Sequence, residues 1–396
     1  MNPEIYLDYG SATPIHPAAA KAAEAALATF ADPLQHHAAG RRSRDILEEA
    51  RQSVALAIKA QPDEIVLTSG GTESVTLAVR GVAQAAGATN RAAGRIVVGG
   101  VEHPSVFGAA RAMAADGFET IVVPVDEFGR TDLDVFVAEV RKPGTVLACI
   151  QHANHELGTL QPVAEAARLS REAGVPILCD ACQTIGRLPI DVQALGLDLL
   201  AVSAHKFGGP PGAGALYVRR GVTISGSPSG DDRERRRRSG MENVPGAAGM
   251  AVALSAAIDD IANQAAAQWS FTDRLRRGLE EHAGATLHGH PTQRAPHLVC
   301  FSIPDIDAEV LLMALDDRGF RLAAGSVASG NPHDPSPVLE AIGAGGASPI
   351  RAGVGRDTTD EEIEALLATL PELVRELRKM QDASADALKR LRRQDA

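Results

Sequence analysis

Asp198-Leu199-Leu200-Ala201-Val202-Ser203-Ala204-His205-Lys206-Phe207-Gly208-Gly209-Pro210-Pro211-Gly212 reads as a buried strand that ends in a lysine and runs out into a loop of glycine and proline. A lysine closing an apolar strand is a poor choice for a core and a good one for an amine that forms a Schiff base. Earlier in the chain, Pro176-Ile177-Leu178-Cys179 ends in the same way in Asp180. An amine and a carboxylate at strand ends suit pyridoxal phosphate (PLP): one serves its aldehyde, the other its ring nitrogen.

Outward from this stretch, strands and helices alternate from about residue 45 to 220. Helical periodicity at 46–60 leads to a strand at 64–68, a Gly-rich turn and a helix at 73–86. Short apolar strands follow at 95–98, 120–123 and 146–151, then a helix at 163–173 and a strand at 176–179. This βαβ rhythm predicts an α/β fold with a mainly parallel sheet sandwiched by helices, and ligands at the carboxyl ends of its strands. The segment 226–240 breaks the pattern, and one long Ala-rich helix is expected over 244–281. Beyond it lie strands near 297–303 and 320–322, helices at 305–318 and 360–380, and a basic tail, 384–393, that reads as a frayed or surface helix. The expected division is an N-terminal segment, 1–15, packing with the small domain; a large PLP-binding domain, 16–255; and a smaller C-terminal α+β domain, 256–396.

At 396 residues, 45 % hydrophobic and 22 % charged, the composition is that of an ordinary globular protein. The net charge of −11 argues against nucleic acid as a partner. No segment reads as a signal peptide or membrane span, so a cytoplasmic location is expected. Four cysteines do not make a disulfide framework. Cys149, Cys179 and Cys300 lie in apolar runs and read as core, and the Cys179/Cys182 pair reads as packing rather than a redox or metal site. No metal is expected.

Other segments carry candidate chemistry. Thr68-Ser69-Gly70-Gly71-Thr72-Glu73-Ser74 joins a strand to a helix, which suits either a phosphate at the helix N-terminus or a plain turn capped by Thr72. His103, in Glu102-His103-Pro104-Ser105, is either structural or a ring that stacks on the pyridine and moves protons. Asp180 is a ring-nitrogen partner or a helix cap, and Gln183 beside it a donor to the phenolic oxygen. Arg351, set between apolar residues, captures a substrate carboxylate or forms a buried ion pair. The charge run Arg233-Glu234-Arg235-Arg236-Arg237-Arg238 reads as a solvated loop.

Taken together, these segments resemble the cysteine desulfurase branch of the class V aminotransferase-like, fold-type I PLP enzymes. The resemblance also rests on Tyr6-Leu7-Asp8-Tyr9, the stretch 152–158, Leu188-Pro189-Ile190-Asp191 and Arg238-Ser239-Gly240. It implies a Schiff base on Lys206, ring stacking by His103, a salt bridge from Asp180, and phosphate contacts from Gly71, Thr72, Ser203 and His205. It implies substrate-carboxylate binding by Arg351, and a homodimer in which the loop around 238–241 reaches into the partner's site.

The departures from the pattern set the functional expectation. Where desulfurases carry a nucleophilic cysteine, this chain reads Gly325-Ser326-Val327-Ala328-Ser329-Gly330, with Ala328 at the cysteine position. Asn154-His155-Glu156-Leu157-Gly158 puts an imidazole where the family has an amide facing cofactor and substrate, and Met241 replaces a hydroxyl. Without that thiol, the expectation is not a persulfide-forming desulfurase but a PLP-dependent lyase. It would cleave an S-substituted L-cysteine by β-elimination, with Lys206 as base and His103 or His155 as proton donor to sulfur. The alternatives are decarboxylation or oxidative deamination of a cysteine S-conjugate, as in the similar enzymes of lincosamide-antibiotic biosynthesis, and a non-catalytic scaffold or Cys-to-Ala variant of a desulfurase.

Overall fold

Seven strands form the main sheet of the computed structural model, which describes residues 4–89, 94–325 and 336–394. Across the sheet they run Ile65–Thr68, Gly214–Val218, Leu199–Ser203, Ile177–Asp180, Thr145–Gln151, Arg95–Gly99 and Glu119–Val123. Gly214–Val218 is antiparallel to both neighbours, and the other adjacent pairs are parallel. Leu199–Ser203 and its antiparallel neighbour are buried along their whole length. That is why they read as continuous apolar runs rather than alternating ones: helices cover both faces of the sheet. Two apolar clusters, one on each face, include Ile150, Leu200 and Tyr217 on one side and Cys149, Leu199 and Leu216 on the other.

A second sheet follows in the order Ala323–Ala324, Pro349–Gly353, Leu298–Ser302 and Thr286–His288, antiparallel throughout. It packs with the helices Ile261–Ala283, Ala308–Asp316 and Asp360–Gln394 around its own core of Leu275, Phe301, Leu311 and Leu370. Leu7 is buried in that core, and Ile5–Tyr6 pairs in parallel with Phe320–Arg321. The chain's start is thereby tied to its C-terminal part.

The long helix expected over 244–281 is two helices, Val244–Asp259 and Ile261–Ala283, bent by 73°. Asp260, at φ −112° and ψ 13°, leaves the helix, and its carboxylate accepts from the side chains of Asn263 and Gln264. Those bonds tie Asp260 to the side chains of the second helix's first turn, while the backbone N–H groups there have no side-chain cap. Among the described residues no single helix is long and apolar enough to cross a membrane. The final helix runs on to Gln394 through the basic tail.

The charge run 233–238 is not a solvated loop throughout. Arg233 and Glu234 are buried, at 7 % and 6 % exposure. Arg233 is ion-paired to Asp32, Asp231 and Glu242. Glu234 receives both Arg51 guanidinium nitrogens, at 2.7 and 2.8 Å, and the Leu67 backbone N–H at 2.8 Å. Glu234, Arg235 and Arg236 all hold left-handed backbones, with φ between 46° and 66°, which costs about 1–2 kcal/mol per residue. These buried pairs hold the strained turn in place.

Candidate functional site

A cavity of about 320 Å³ opens at the carboxyl ends of the parallel strands, a volume in the range of small-molecule and cofactor sites. It gathers every site residue expected from sequence: Gly71, Thr72, His103, His155, Asp180, Gln183, Ser203, His205, Lys206 and Arg351. Cys182 belongs to its wall as well, not to the core, while Cys149, Cys179 and Cys300 are enclosed in strands as expected. Gly10, Ser11, Ser105, Gln151, Ala153 and Gly325 complete the lining and carried no sequence signal. Ala328 lies outside the described residues.

Lys206 ends the 3-10 turn Ala204–Lys206 that follows the strand Leu199–Ser203. Its Nζ donates to the carbonyls of Gly10 and Ser11, at 2.7 and 2.9 Å. Burial, then the charge of Arg351, pushes this amine down to about 8, against the opposing pull of Cys182 and Asp180. A lysine so placed is partly free base near neutrality, as a Schiff-base amine needs to be.

Asp180 ends the neighbouring strand, and its Oδ1 accepts from the Cys182 N–H at 2.9 Å. Gln183 gives one amide N–H to Gly10 O, and its Oε1 accepts from His297 Nε2 at 3.0 Å, which leaves its second N–H for a ligand. Cys182 is held protonated: burial and the Asp180 charge push its thiol well above the usual range. At the start of the helix Gly71–Thr89, a Cβ on Gly71 would sit 2.5 Å from Cys182 Sγ, so only glycine lets the phosphate-side turn close on the wall.

His103 has two roles at once. It caps the helix Pro104–Ala112 by accepting from the Ser105 N–H at 3.1 Å, and its ring meets His155 edge to face at 5.1 Å. Burial holds both imidazoles below the usual histidine range, and with it the nearby positive charge of Lys206. His205, 3.0 Å from Ser203 Oγ, is pushed down to about 4. These rings are therefore neutral at pH 7.

Arg351 satisfies both readings given to it. It pairs with Asp8 at 3.0 Å and donates to Ser11 Oγ at 2.6 Å and His155 O at 2.7 Å, yet its buried Nε has no partner. Both ring nitrogens of His155 are likewise buried without a hydrogen bond. Unpaired buried groups of this kind are costly unless a ligand completes them. The donor set fits PLP: an amine for the aldehyde, a carboxylate for the ring nitrogen, an imidazole wall, and backbone N–H groups at a helix start for the phosphate.

The chain belongs to the class-V aminotransferase family, whose pattern it matches over residues 5–366. Within that family it is a homologue of the cysteine desulfurases. It is 37 % identical over 385 residues to the cysteine desulfurase IscS of Dictyoglomus turgidum, covering 96 % of each chain. Among solved structures, a NifS-like protein superposes with a TM-score of 0.87 at 28 % identity, over 94 % of this chain and 99 % of the other. A structure of SspA in complex with cysteine gives 0.75 at 25 % identity, over 88 % and 98 %. The fold is that of the fold-type I PLP enzymes, and the cofactor of the family is PLP.

This similarity overturns the expected lyase for S-substituted cysteines and favours the alternative that keeps the chain among the desulfurases. That expectation inferred a new reaction from Ala328 and from changes around 154–158 and 226–241. Lys206, Asp180 and Arg351 lie at none of those positions. They line the cavity together whatever stands at residue 328.

Proposed function

We propose that this PLP-dependent enzyme acts on L-cysteine in the manner of a desulfurase. It breaks the Cβ–Sγ bond and passes the sulfur to a thiol, so that cysteine and thiol become L-alanine and a persulfide. The observation that carries the reading is the convergence of Lys206, Asp180, His103 and Arg351 on one cavity, in a chain so similar to a cysteine desulfurase. When bound, PLP supplies an electron sink for the pair released at Cα.

The chain's residues do the rest. The N–H groups of Gly71 and Thr72, with Ser203 and His205, would hold the phosphate. Asp180 would hold a proton on the ring nitrogen, His103 would stack on the ring, and the spare N–H of Gln183 would serve the ring hydroxyl. Arg351 exchanges Asp8 for the substrate carboxylate, a charge-for-charge replacement that leaves no buried cation unpaired. Lys206, with its amine near 8, carries the proton to and from Cα. His155, neutral and beside His103, takes the proton of the substrate thiol. The working form is a homodimer, in which the 238–241 segment, anchored here by the Arg238–Glu73 pair at 2.9 Å, would reach the partner's cavity.

Incubation of the PLP-loaded protein with L-cysteine and a dithiol tests the reading. Alanine and sulfide in equal amounts are expected. Pyruvate and ammonia in place of alanine, or no turnover of cysteine, would overturn it.

A further inference from the structure

The turn that carries His155 has a second ionisable side chain on its far side. Asn154 fixes the turn: its Oδ1 accepts from the N–H groups of Glu156 and Leu157, at 2.9 and 2.7 Å, and its Nδ2 donates to Val101 O at 2.9 Å. With the backbone so held, residue 155 gives its carbonyl to Arg351 and its ring to the cavity wall. Residue 156 is buried, at 2 % exposure. Its Oε2 accepts from the Ser336 hydroxyl at 2.6 Å, and its Oε1 lies 3.6 Å from His155 Nε2. Gly325 packs on the same carboxyl, where an added Cβ would come 3.6 Å from Oε2.

We propose that Glu156 is a positioning residue: its carboxylate fixes the proton of His155 on Nε2, and so leaves the Nδ1 lone pair free to take the proton of the substrate thiol. This rests on the role given above to His155. An imidazole with two unpartnered nitrogens has no reason to prefer one tautomer, and the partner of one nitrogen decides what the other does. At 3.6 Å the contact is longer than a hydrogen bond and the ring is neutral, so the Glu156 carboxylate acts on Nε2 through its negative charge. Ser336 occupies the other oxygen and keeps the carboxyl from turning away.

The device is sensitive to pH. Burial pushes the Glu156 carboxyl up to about 7, opposed by the Ser336 hydroxyl and the Arg351 charge. The groups facing it are His155 from its own turn, Ser336 at the start of the helix Pro337–Ala341, Arg351 from the strand Pro349–Gly353 and Cys300 from the strand Leu298–Ser302. Burial holds the Cys300 thiol protonated and the His155 ring neutral, so Arg351 is the charge that acts on the carboxyl at pH 7. The carboxylate is ionised above about pH 7, and its hold on Nε2–H is lost as pH falls through that value.

Nitrogen-15 NMR of the histidine rings in the cofactor-free protein reads the tautomer directly, and kcat and KM for L-cysteine against pH read its consequence. In the wild type, the Nε2–H form at pH 8 and an acid limb in kcat near pH 7 are expected. Glu156→Gln should mix the tautomers, abolish that limb and lower kcat about tenfold at little change in KM, and Glu156→Asp should restore part of the loss. Ser336→Ala, which keeps the carboxyl but removes its hydrogen bond, should move the limb to higher pH; it decides the matter if Glu156→Gln does not fold. A folded Glu156→Gln variant with the wild-type tautomer, or an unmoved limb in Ser336→Ala, would overturn the proposal. Failure of the wild type to consume cysteine would sink the functional reading instead, while the tautomer measurement still decides this one.

Discussion

The cavity and the 231–242 loop are both rich in charge, and they treat it in opposite ways. In the loop, Arg233 has three carboxylate partners, and Glu234 has a bidentate arginine and a backbone N–H. In the cavity, the ring nitrogens of His155 and the Nε of Arg351 are buried without a hydrogen bond, and Lys206 rests on two carbonyls with its amine pushed down to about 8. Buried charge that is fully paired holds a backbone in place; buried charge left incomplete waits for a ligand. Substitutions in the first region should therefore act on stability, and in the second on turnover.

The largest effect is expected at Lys206. Lys206→Ala should lower cysteine turnover by about 10³-fold or more and remove the visible absorbance of bound cofactor, with Tm little changed. A variant that unfolds instead would erase the distinction. Next comes Glu234→Ala, which takes from buried Arg51 its bidentate partner and leaves it only Glu48 and the Ile65 carbonyl; it should cost roughly 3 kcal/mol, read as a fall in the urea midpoint, with KM for cysteine unchanged in the folded fraction.

Arg351→Lys keeps the charge but loses the fork that binds a carboxylate side-on. It should raise KM by about 10- to 100-fold, the equivalent of roughly 1.5–3 kcal/mol for hydrogen bonds to a charged group. Equal KM in mutant and wild type would place substrate binding elsewhere.

The smallest expected effect is a pH slope in the stability of the cofactor-free protein. Lys206 titrates at about 8 when folded and at the usual 10.5 when unfolded, so between these values the unfolded chain binds more protons and stability rises with pH. The gain is roughly 2–3 kcal/mol, and Lys206→Met should abolish it. Urea midpoints measured from pH 7.5 to 10.5, about the span of the two values, check this.

The parts of the site on the parallel sheet were legible because they sit at strand ends, where an apolar run stops at a single chemical group: Asp180, Lys206, and the turn at Gly70 and Gly71. The opposite wall was less so. Arg351 stood out as a cation in an apolar strand, but Gly10 and Ser11 contribute backbone carbonyls, which no side-chain pattern announces. Cys182 reads as core because a thiol counts as an apolar residue until its neighbours are known. The helix break at Asp260 is not legible because the alanine-rich pattern continues through it, with no Pro or Gly to mark the bend. The expected reaction fails for a different reason: it rests on one alanine in place of a thiol, whereas the chain as a whole is similar to the cysteine desulfurases.

Borohydride reduction of the PLP-loaded protein, followed by peptide mass spectrometry, tests the central claim most directly. The phosphopyridoxyl group should be found on the peptide containing Lys206. Its appearance on the other lysines, or on none, would contradict the assignment of this cavity as the cofactor site.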